Sequence, residues 1–533
     1  MRILRFKRVE AARLWLVCLL TGILCSAPAA GASNDTLDVS LRSRVETGQG
    51  SGKFRVVEQR AEWKASETAI IICDMWNEHW CKGATGRVAE LAGPMNEVVS
   101  KAREKGVLII HAPSGTVGHY EGHPARKRAQ DAPKAANLPT DINGWCDLKS
   151  QFEERFEYPI DQSDGGCDCE PQCEQRTAWS RQIDTIEIKD EDAISDSGVE
   201  VWNLLEQRGI KNVILMGVHT NMCVLGRPFG LRNMARHGKN VVLARDLTDT
   251  MYNSRKRPFV SHFTGTDLII EHIEQFVCPT IASTALTGKG RFDFKDDKRP
   301  FVVFISSEKE YGAAESLPVF AHELETKHGL RCEIIQGSIV DGGAESHYIS
   351  GMEIMDKADL VVVFVRRRAF PADQMKHLTD YLARGKPLIG LRTASHAFDA
   401  RGQGPKGHLE WPGFDADVLG GNYQGHYDKG ITTVAAPAQG AEGHPILAGV
   451  EMPLKSASSL YQASPLRESA TPLLIGTIPG EEPEPIAWTN MYKNSRVFYT
   501  SLGSIEDFEN PQFRRMLVNA VFWAIDKTAT KNK

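Results

Sequence analysis

The sequence predicts an α/β protein with two three-layer α/β/α domains, each built on a mostly parallel sheet. Apolar strand-like runs bounded by turn residues alternate with helical stretches, the pattern of parallel sheets covered by helices on both faces. The runs form two sets separated by residues 281–299, which are rich first in Ser, Thr and Gly and then in charge, a linker composition. A length of 533 residues, at roughly 150 residues per domain, accommodates at least two full-sized cores.

In chain order, Arg2, Arg5, Lys7, Arg8 and Arg13 precede the apolar run Leu14 to Cys25, and the small residues Ser26 to Ala32 follow. This order predicts a cleaved secretory signal of bacterial character over residues 1–32, and export to the periplasm or the medium. The run is shorter than the about 20 apolar residues of a stable span. Residues 33–60 read as an N-terminal extension. Removing Cys18 and Cys25 from the 11 cysteines leaves nine in an oxidising compartment, so at least one thiol is unpaired or bonded between chains.

The first domain covers residues 61–280. Strands are expected at Thr68–Cys73, Val107–Ala112, Thr185–Lys189, Asn212–Val218, Asn240–Ala244 and Asp267–Ile270, and helices at Val88–Glu104, Gly198–Arg208 and Gly226–His237. An insertion at about 114–183 far exceeds the usual connection of about 4–6 residues and reads as a lid or binding loop. Its cysteines, Cys146, Cys167, Cys169 and Cys173, point to two disulfides in an exported chain. A four-thiolate zinc site is the second reading, because the spacing lacks paired C-x-x-C knuckles.

The second domain covers residues 300–528. Strands are expected at Phe301–Ser306, Arg331–Gln336, Asp359–Val365, Pro387–Leu391, Thr432–Ala435, Pro472–Thr477 and Arg496–Ser501, with a closing helix over Pro511–Asp526. Charge is nearly balanced, 63 Lys plus Arg against 68 Asp plus Glu, a formal net of -5 that excludes a basic nucleic-acid binder. No segment after the signal reaches spanning length, so no membrane partner is expected. A homo-oligomer is compatible with the sequence.

Three residues carry the chemistry. Asp74 ends the first strand, where catalysts of parallel sheets gather. Lys189 ends a later expected strand. Cys223 lies in Gly217-Val-His-Thr-Asn-Met-Cys-Val-Leu-Gly226, a strand followed by a tight turn and an expected helix whose N-terminus would lower the thiol pKa. Taken singly, the three read as a cap, a solvated lysine and a buried spacer.

In this order, from about Thr68 to Pro279, they resemble the isochorismatase-like cysteine hydrolases, which include nicotinamidases. The resemblance extends to Asp192-Ala193, Gly209 to Gly217, Asp246 and His262. It implies Asp74 as general base, Lys189 as its cationic partner, and Cys223 as nucleophile toward a carbonyl or imino carbon. It also implies an oxyanion-binding turn at Val218, His219 and Cys223 with a cis Val218–His219 peptide. Trp76 and Trp80 stand where nicotinamidases carry smaller residues, so Trp76, Trp80 and Thr220 are expected to shape a different pocket. The Asp-x-His metal motif of nicotinamidases is absent; His119 and His123 have no ordered carboxylate partner, and no metal or other cofactor is expected.

The second domain resembles the trehalose-utilisation (ThuA-like) family, a branch of the class I glutamine-amidotransferase-like fold. Its carriers are Ala358 to Val365, Pro387 to Phe398, Trp411 to Tyr427, Gly443 to Ile446 and Arg496 to Gly503. The turn where amidotransferases place a nucleophilic cysteine reads Gly390-Leu-Arg-Thr-Ala-Ser-His396, and Cys332 lies elsewhere, which disfavours glutaminase activity. Arg392, His396 and His426 line an expected pocket, for a carbohydrate or merely as loop capping groups. The primary reading is an exported hydrolase of a C–N bond in a small amide, imide or carbamoyl compound. The alternative is a carbohydrate-binding or carbohydrate-modifying protein acting through the second domain.

Overall fold

The computed structural model describes residues 35–526 apart from 148, 150–152 and 341. The expected signal segment, with Cys18 and Cys25, lies outside the described residues. Residues from Asp35 onward form one compact unit with two sheets, each covered by helices on both faces. No helix among the described residues is long and apolar enough to cross a membrane.

The first sheet has eight strands: β1 (Thr36–Glu46), β2 (Phe54–Lys64), β3 (Thr68–Cys73), β4 (Leu108–Ala112), β5 (Ala193–Ile194), β6 (Asn212–Val218), β7 (Asn240–Asp249) and β8 (Thr280–Ile281). Their order is β2-β1-β8-β7-β6-β3-β4-β5. Strands β3 to β8 pair in parallel, and β1–β2 is an antiparallel hairpin on the edge. The stretch expected to be a mere N-terminal extension therefore supplies the two outermost strands. Every residue of β3 is buried, as a parallel strand covered on both faces requires. Ala69, Ile71 and Cys73 face α3 (Gly198–Gln207) and α5 (His262–Phe276), whereas Ile70 and Ile72 face α1 (Lys82–Glu104) and α6 (Thr284–Thr287). The helix α2 (Pro124–Gln130) and short turns are all the regular structure of the insertion. The remaining helix of this half, α4, spans Leu231–Arg236.

Two expected strands do not form. Asp267–Ile270 is the middle of α5: Leu268, Ile269, His272 and Ile273 make one buried helical face, and the Ser261 side chain caps the helix by accepting from the Thr264 amide. Three apolar letters, Leu268 to Ile270, fit either period, and the capped flank decides. Thr185–Lys189 is irregular; only Ile186 in it is fully buried, too little to hold a sheet edge.

The second sheet has nine strands: β9 (Phe301–Ser307), β10 (Arg331–Gln336), β11 (Leu360–Val365), β13 (Leu388–Leu391), β16 (Thr433–Pro437), β17 (Leu454–Ser456), β19 (Thr471–Thr477), β20 (Glu484–Tyr492) and β21 (Ser495–Thr500). Two-residue ladders beside it pair β12 (Phe370–Pro371) with β14 (His408–Leu409), and β15 (Gly425–His426) with β18 (Tyr461–Gln462). The order is β10-β9-β11-β13-β21-β20-β19-β16-β17, parallel as far as β21 and antiparallel beyond. Val302 and Phe304 pack on α7 (Ala313–His328), α9 (Ile505–Glu509) and α10 (Pro511–Ala524), and Val303 and Ile305 on α8 (Ala372–Ala383).

Between the sheets lies a buried ion network. The Glu333 carboxylate on β10 meets Arg291 at 3.0 Å, Arg245 at 3.7 Å and Arg42. Arg42 also reaches Glu274 at 3.4 Å, Arg44 reaches Glu271 at 2.6 Å, and Arg331 reaches Asp293 at 2.7 Å. The three arginines hold Glu333 far below the usual carboxylate range against its burial. Burial, with Arg291 beside it, presses Arg245 down to about 10. Residues 281–299 thus carry buried charges into the network instead of forming a loose tether. Glu333→Gln is expected to destabilise the chain by about 3–5 kcal/mol, because three buried guanidinium groups lose their shared charge. Urea denaturation checks this; a midpoint shift equivalent to less than about 1 kcal/mol would show the network to be dispensable.

Candidate active site

The end of β6 comes unusually close to the end of β3. Gly217 has φ +115°, and a Cβ there would stand 2.1 Å from the Cys73 carbonyl oxygen, so only glycine permits the approach. The Val218–His219 peptide is cis, and Thr220–Val224 form a single π-helical turn that contains Cys223, 9% exposed. The helix expected from Gly226 begins only at Leu231. No α-helix N-terminus faces the thiol, and the expected depression of its pKa is corrected: burial pushes Cys223 up, and the Asp74 charge pushes it further. The Arg227 charge opposes this, with a smaller opposing part from the His219 backbone.

Asp74 follows β3 in a left-handed conformation, φ 49°, which aspartate adopts more readily than most residues. Its side chain is fully buried. Oδ1 accepts from the Ser114 amide at 2.8 Å and Oδ2 accepts from Arg227 Nε at 3.0 Å, and the Cys223 thiol lies close enough for the carboxylate charge to act on it. Burial raises the Asp74 pKa, and Arg227 counteracts it. Arg227 stands one turn beyond the nucleophile, its amide donating to the Cys223 carbonyl at 3.0 Å.

Lys189 is not brought to this group. Its Nζ pairs with Glu187 Oε2 at 2.7 Å on a half-exposed surface, and its amide donates to Asp192, which is held by Arg103 and His111. Because 185–189 is not a strand, the lysine does not point from a strand end toward the centre. Arg227 supplies the cation beside Asp74. Sequence reasoning missed it; its signal was the i+4 spacing from Cys223, which places it over the thiol once the turn is helical.

Aromatic rings wall the site. Trp76 is buried, its indole donating to the Ser114 carbonyl at 3.1 Å, and stacks on Trp179 with centroids 4.4 Å apart. His79 continues the stack at 5.7 Å from Trp179, meets Trp80 at 5.1 Å, and touches the His219 ring at 4.8 Å. Burial presses His79 down to about 4 and His219 well below its usual range, so both rings are neutral at pH 7. Thr220 does not border the pocket: its hydroxyl is buried against Thr248 at 2.7 Å. The insertion covers the nucleophile turn. Trp145 lies over Gly226 and Arg227, and Gln162 accepts from Asn221 at 2.8 Å.

The C-terminal half holds a cavity of about 680 Å³ bordered by Arg366, Arg367, Arg401, His396, Tyr423 and His426. His396 stacks on Tyr423 with centroids 4.6 Å apart. Arg392 does not border this cavity. It is fully buried with φ 41°, donates to the Ser501 and Ser459 carbonyls, and lies between Tyr311 and Tyr461. Its part is to hold the turn after β13. An adjoining cavity of about 330 Å³ is bordered by Asp415, which accepts from the Tyr423 amide at 2.7 Å.

Residues 337–524 match the family model described as ThuA, trehalose utilisation. No curated protein matches the chain. Among solved structures, a ThuA-like protein from Parabacteroides merdae is similar at 16% identity and a TM-score of 0.34, covering 44% of this chain and 93% of its own. A cysteine hydrolase from Pseudomonas syringae pv. phaseolicola is similar at 15% identity and a TM-score of 0.27, covering 42% and 93%. An isochorismatase family protein from Burkholderia thailandensis is similar at 13% identity and a TM-score of 0.25, covering 42% and 95%.

Burial raises Asp415 from 3.8 to about 7. A carboxyl raised in the folded state contributes fully below its unfolded value and loses that contribution as pH rises through about 7. Asp415→Asn is therefore expected to gain thermal stability relative to the parent at pH 8 but not at pH 3.5. Melting curves at the two pH values decide; equal shifts at both would contradict the buried neutral acid.

Proposed function

We propose that the N-terminal half is a hydrolase of a C–N bond in a small amide, imide or carbamoyl compound, with Cys223 as nucleophile and Asp74 as base. One observation carries the reading: the Cys223 thiol shares one buried volume with the Asp74 carboxylate, which Arg227 binds at 3.0 Å. Cys223 Sγ attacks the carbonyl carbon while its proton passes to Asp74. Asp74 returns the proton to the leaving nitrogen as the C–N bond breaks, and ammonia or an amine departs. Water, deprotonated by Asp74, then cleaves the thioester and restores the thiol. A thiol uncharged at rest suits this coupled transfer, because a carboxylate raised by burial is the stronger base. The Cys223 amide is the donor proposed for the developing oxyanion. The stacked Trp76 and Trp179 favour a small flat substrate. Export, resting on the order of residues 1–32, belongs to the same proposal.

The arginine-bordered cavity favours a second reading for the C-terminal half, a carbohydrate ligand whose ring stacks on Tyr423 and whose hydroxyls meet Arg367 and Arg401. Stabilisation of the full chain by sugars tests it.

Ammonia release from a panel of small amides and imides tests the hydrolase. Cys223→Ser is expected to abolish turnover, and Arg227→Ala to lower kcat/KM by about 100-fold or more. Lys189→Ala is expected to stay within about threefold of the parent. A pH profile should place the acid limb above the ordinary aspartate value, because burial raises Asp74. Turnover that survives Cys223→Ser, or that falls with Lys189→Ala and not with Arg227→Ala, would overturn the assignment.

A further inference from the structure

We propose that Cys81, Cys167, Cys169 and Cys173 together hold one zinc-class metal ion that fastens the insertion to the start of α1. The expected pairing of Cys146 with the other three is corrected here. Cys146 is elsewhere, its amide donating to the Gly226 carbonyl at 2.7 Å, and Cys81, from outside the insertion, takes its place. None of the cysteines among the described residues is in a disulfide.

The sulfurs of Cys81, Cys167 and Cys169 lie within 4.8 Å of one another, and Cys81 and Cys169 are 3.8 Å apart. With Zn–S bonds of about 2.3 Å, a tetrahedral site has sulfur–sulfur edges of roughly 3.8 Å. A mutual triangle fits a shared ion, whereas disulfides sort sulfurs into pairs. Cys173 packs against this cluster, its Sγ accepting from the amide of Lys82 next to Cys81; it stands outside the triangle and is the sulfur that closes in as the fourth ligand when the ion binds.

The surroundings suit thiolates. Cys81 is the N-cap residue of the 23-residue helix α1. The Gly83 amide donates to Cys169 Sγ at 3.3 Å and the Lys82 amide to Cys173 Sγ at 3.5 Å. Four thiolates and a divalent ion carry two net negative charges. The N-terminus of α1 faces them, its Lys82 and Gly83 amides donating to two of the sulfurs, and Arg255, itself paired with Glu170, donates to the Cys169 carbonyl at 3.0 Å. The insertion is otherwise short of regular structure, and three of these cysteines fall within seven residues of it. The clamp also neighbours Trp80 and His79, so it sets the wall of the Cys223 pocket.

The test uses the full chain, purified without chelator. Elemental analysis is expected to find one zinc per chain. Exchange into cobalt(II) is expected to give visible d–d bands of a tetrahedral site together with thiolate-to-cobalt charge transfer. Cys81→Ser and Cys169→Ser are expected to lose the metal. Should either fail to fold, titrating the parent with an organomercurial is expected to release zinc in step with these four thiols. A chain that carries no stoichiometric metal and takes up no cobalt overturns the proposal, whether the four cysteines are then found as disulfides or as free thiols. None of these readouts needs the hydrolase activity.

Discussion

The carboxylate of Glu333, buried among Arg42, Arg245 and Arg291, binds together parts of the chain that composition alone would separate. Its partners come from β1, β7 and the segment 281–299, and Glu333 itself from β10. A charge taken out of water costs several kcal/mol unless its partners are fixed, and the arrangement recovers that cost only in one relative placement of the sheets. The network acts less as a source of net stability than as a selector of geometry. The β1–β2 hairpin shows the same dependence. Arg42 and Arg44 reach Glu274 and Glu271 on α5, while Val56 joins the core of the second sheet. The hairpin therefore packs against both halves.

The active-site geometry follows from a constraint of similar kind. Parallel strands β3 and β6 are neighbours, and Gly217 lets their ends touch. Asp74 and Cys223, far apart in sequence, then share one buried volume. Burial raises the acid and the thiol together, so neither ionises for free. A cation nearby decides which of the two carries the charge. Arg227 bonds the carboxylate, which leaves the charge on Asp74 and the proton on sulfur, the resting state a coupled proton transfer needs.

Much of this was legible before the structure. Strands β3, β4, β6, β9 and β11 announce themselves as apolar runs because both their faces are covered. That Asp74 and Cys223 meet was legible because each follows the end of a parallel strand, and Gly217 marked the turn. What stayed hidden depended on contacts between distant segments. Lys189 was placed by assuming that Thr185–Lys189 extends, and that short run lacks the buried partners that enforce a strand. Leu268 to Ile270 fit either period, and their helical state rests on the Ser261 cap and on packing outside the run. Arg227 and Arg392 show the same limit in opposite directions. One arginine meets the Asp74 carboxylate because a turn brings it beside Cys223; the other borders only a neighbouring cavity of about 300 Å³ because two tyrosine rings and two carbonyl oxygens hold it.

The insertion draws these threads together. Seventy residues with little helix or strand cannot hold a fixed shape through their own backbone bonding. Yet they meet the rest of this half at four separated points, two of them on the turn around Cys223: Trp145 on Gly226, Gln162 on Asn221, Gly166 against Met251, and Trp179 on Trp76. Each contact orders a few residues and repays part of the chain entropy, alongside the ion pairs of Arg126 with Glu200 and of Glu153 with Arg232. The cysteine cluster at the head of α1 is the fifth point, and it lies next to the residue pair Trp80 and His79 that forms one side of the pocket. Access to Cys223 is thus governed by what fixes the insertion as much as by the strands that carry the nucleophile.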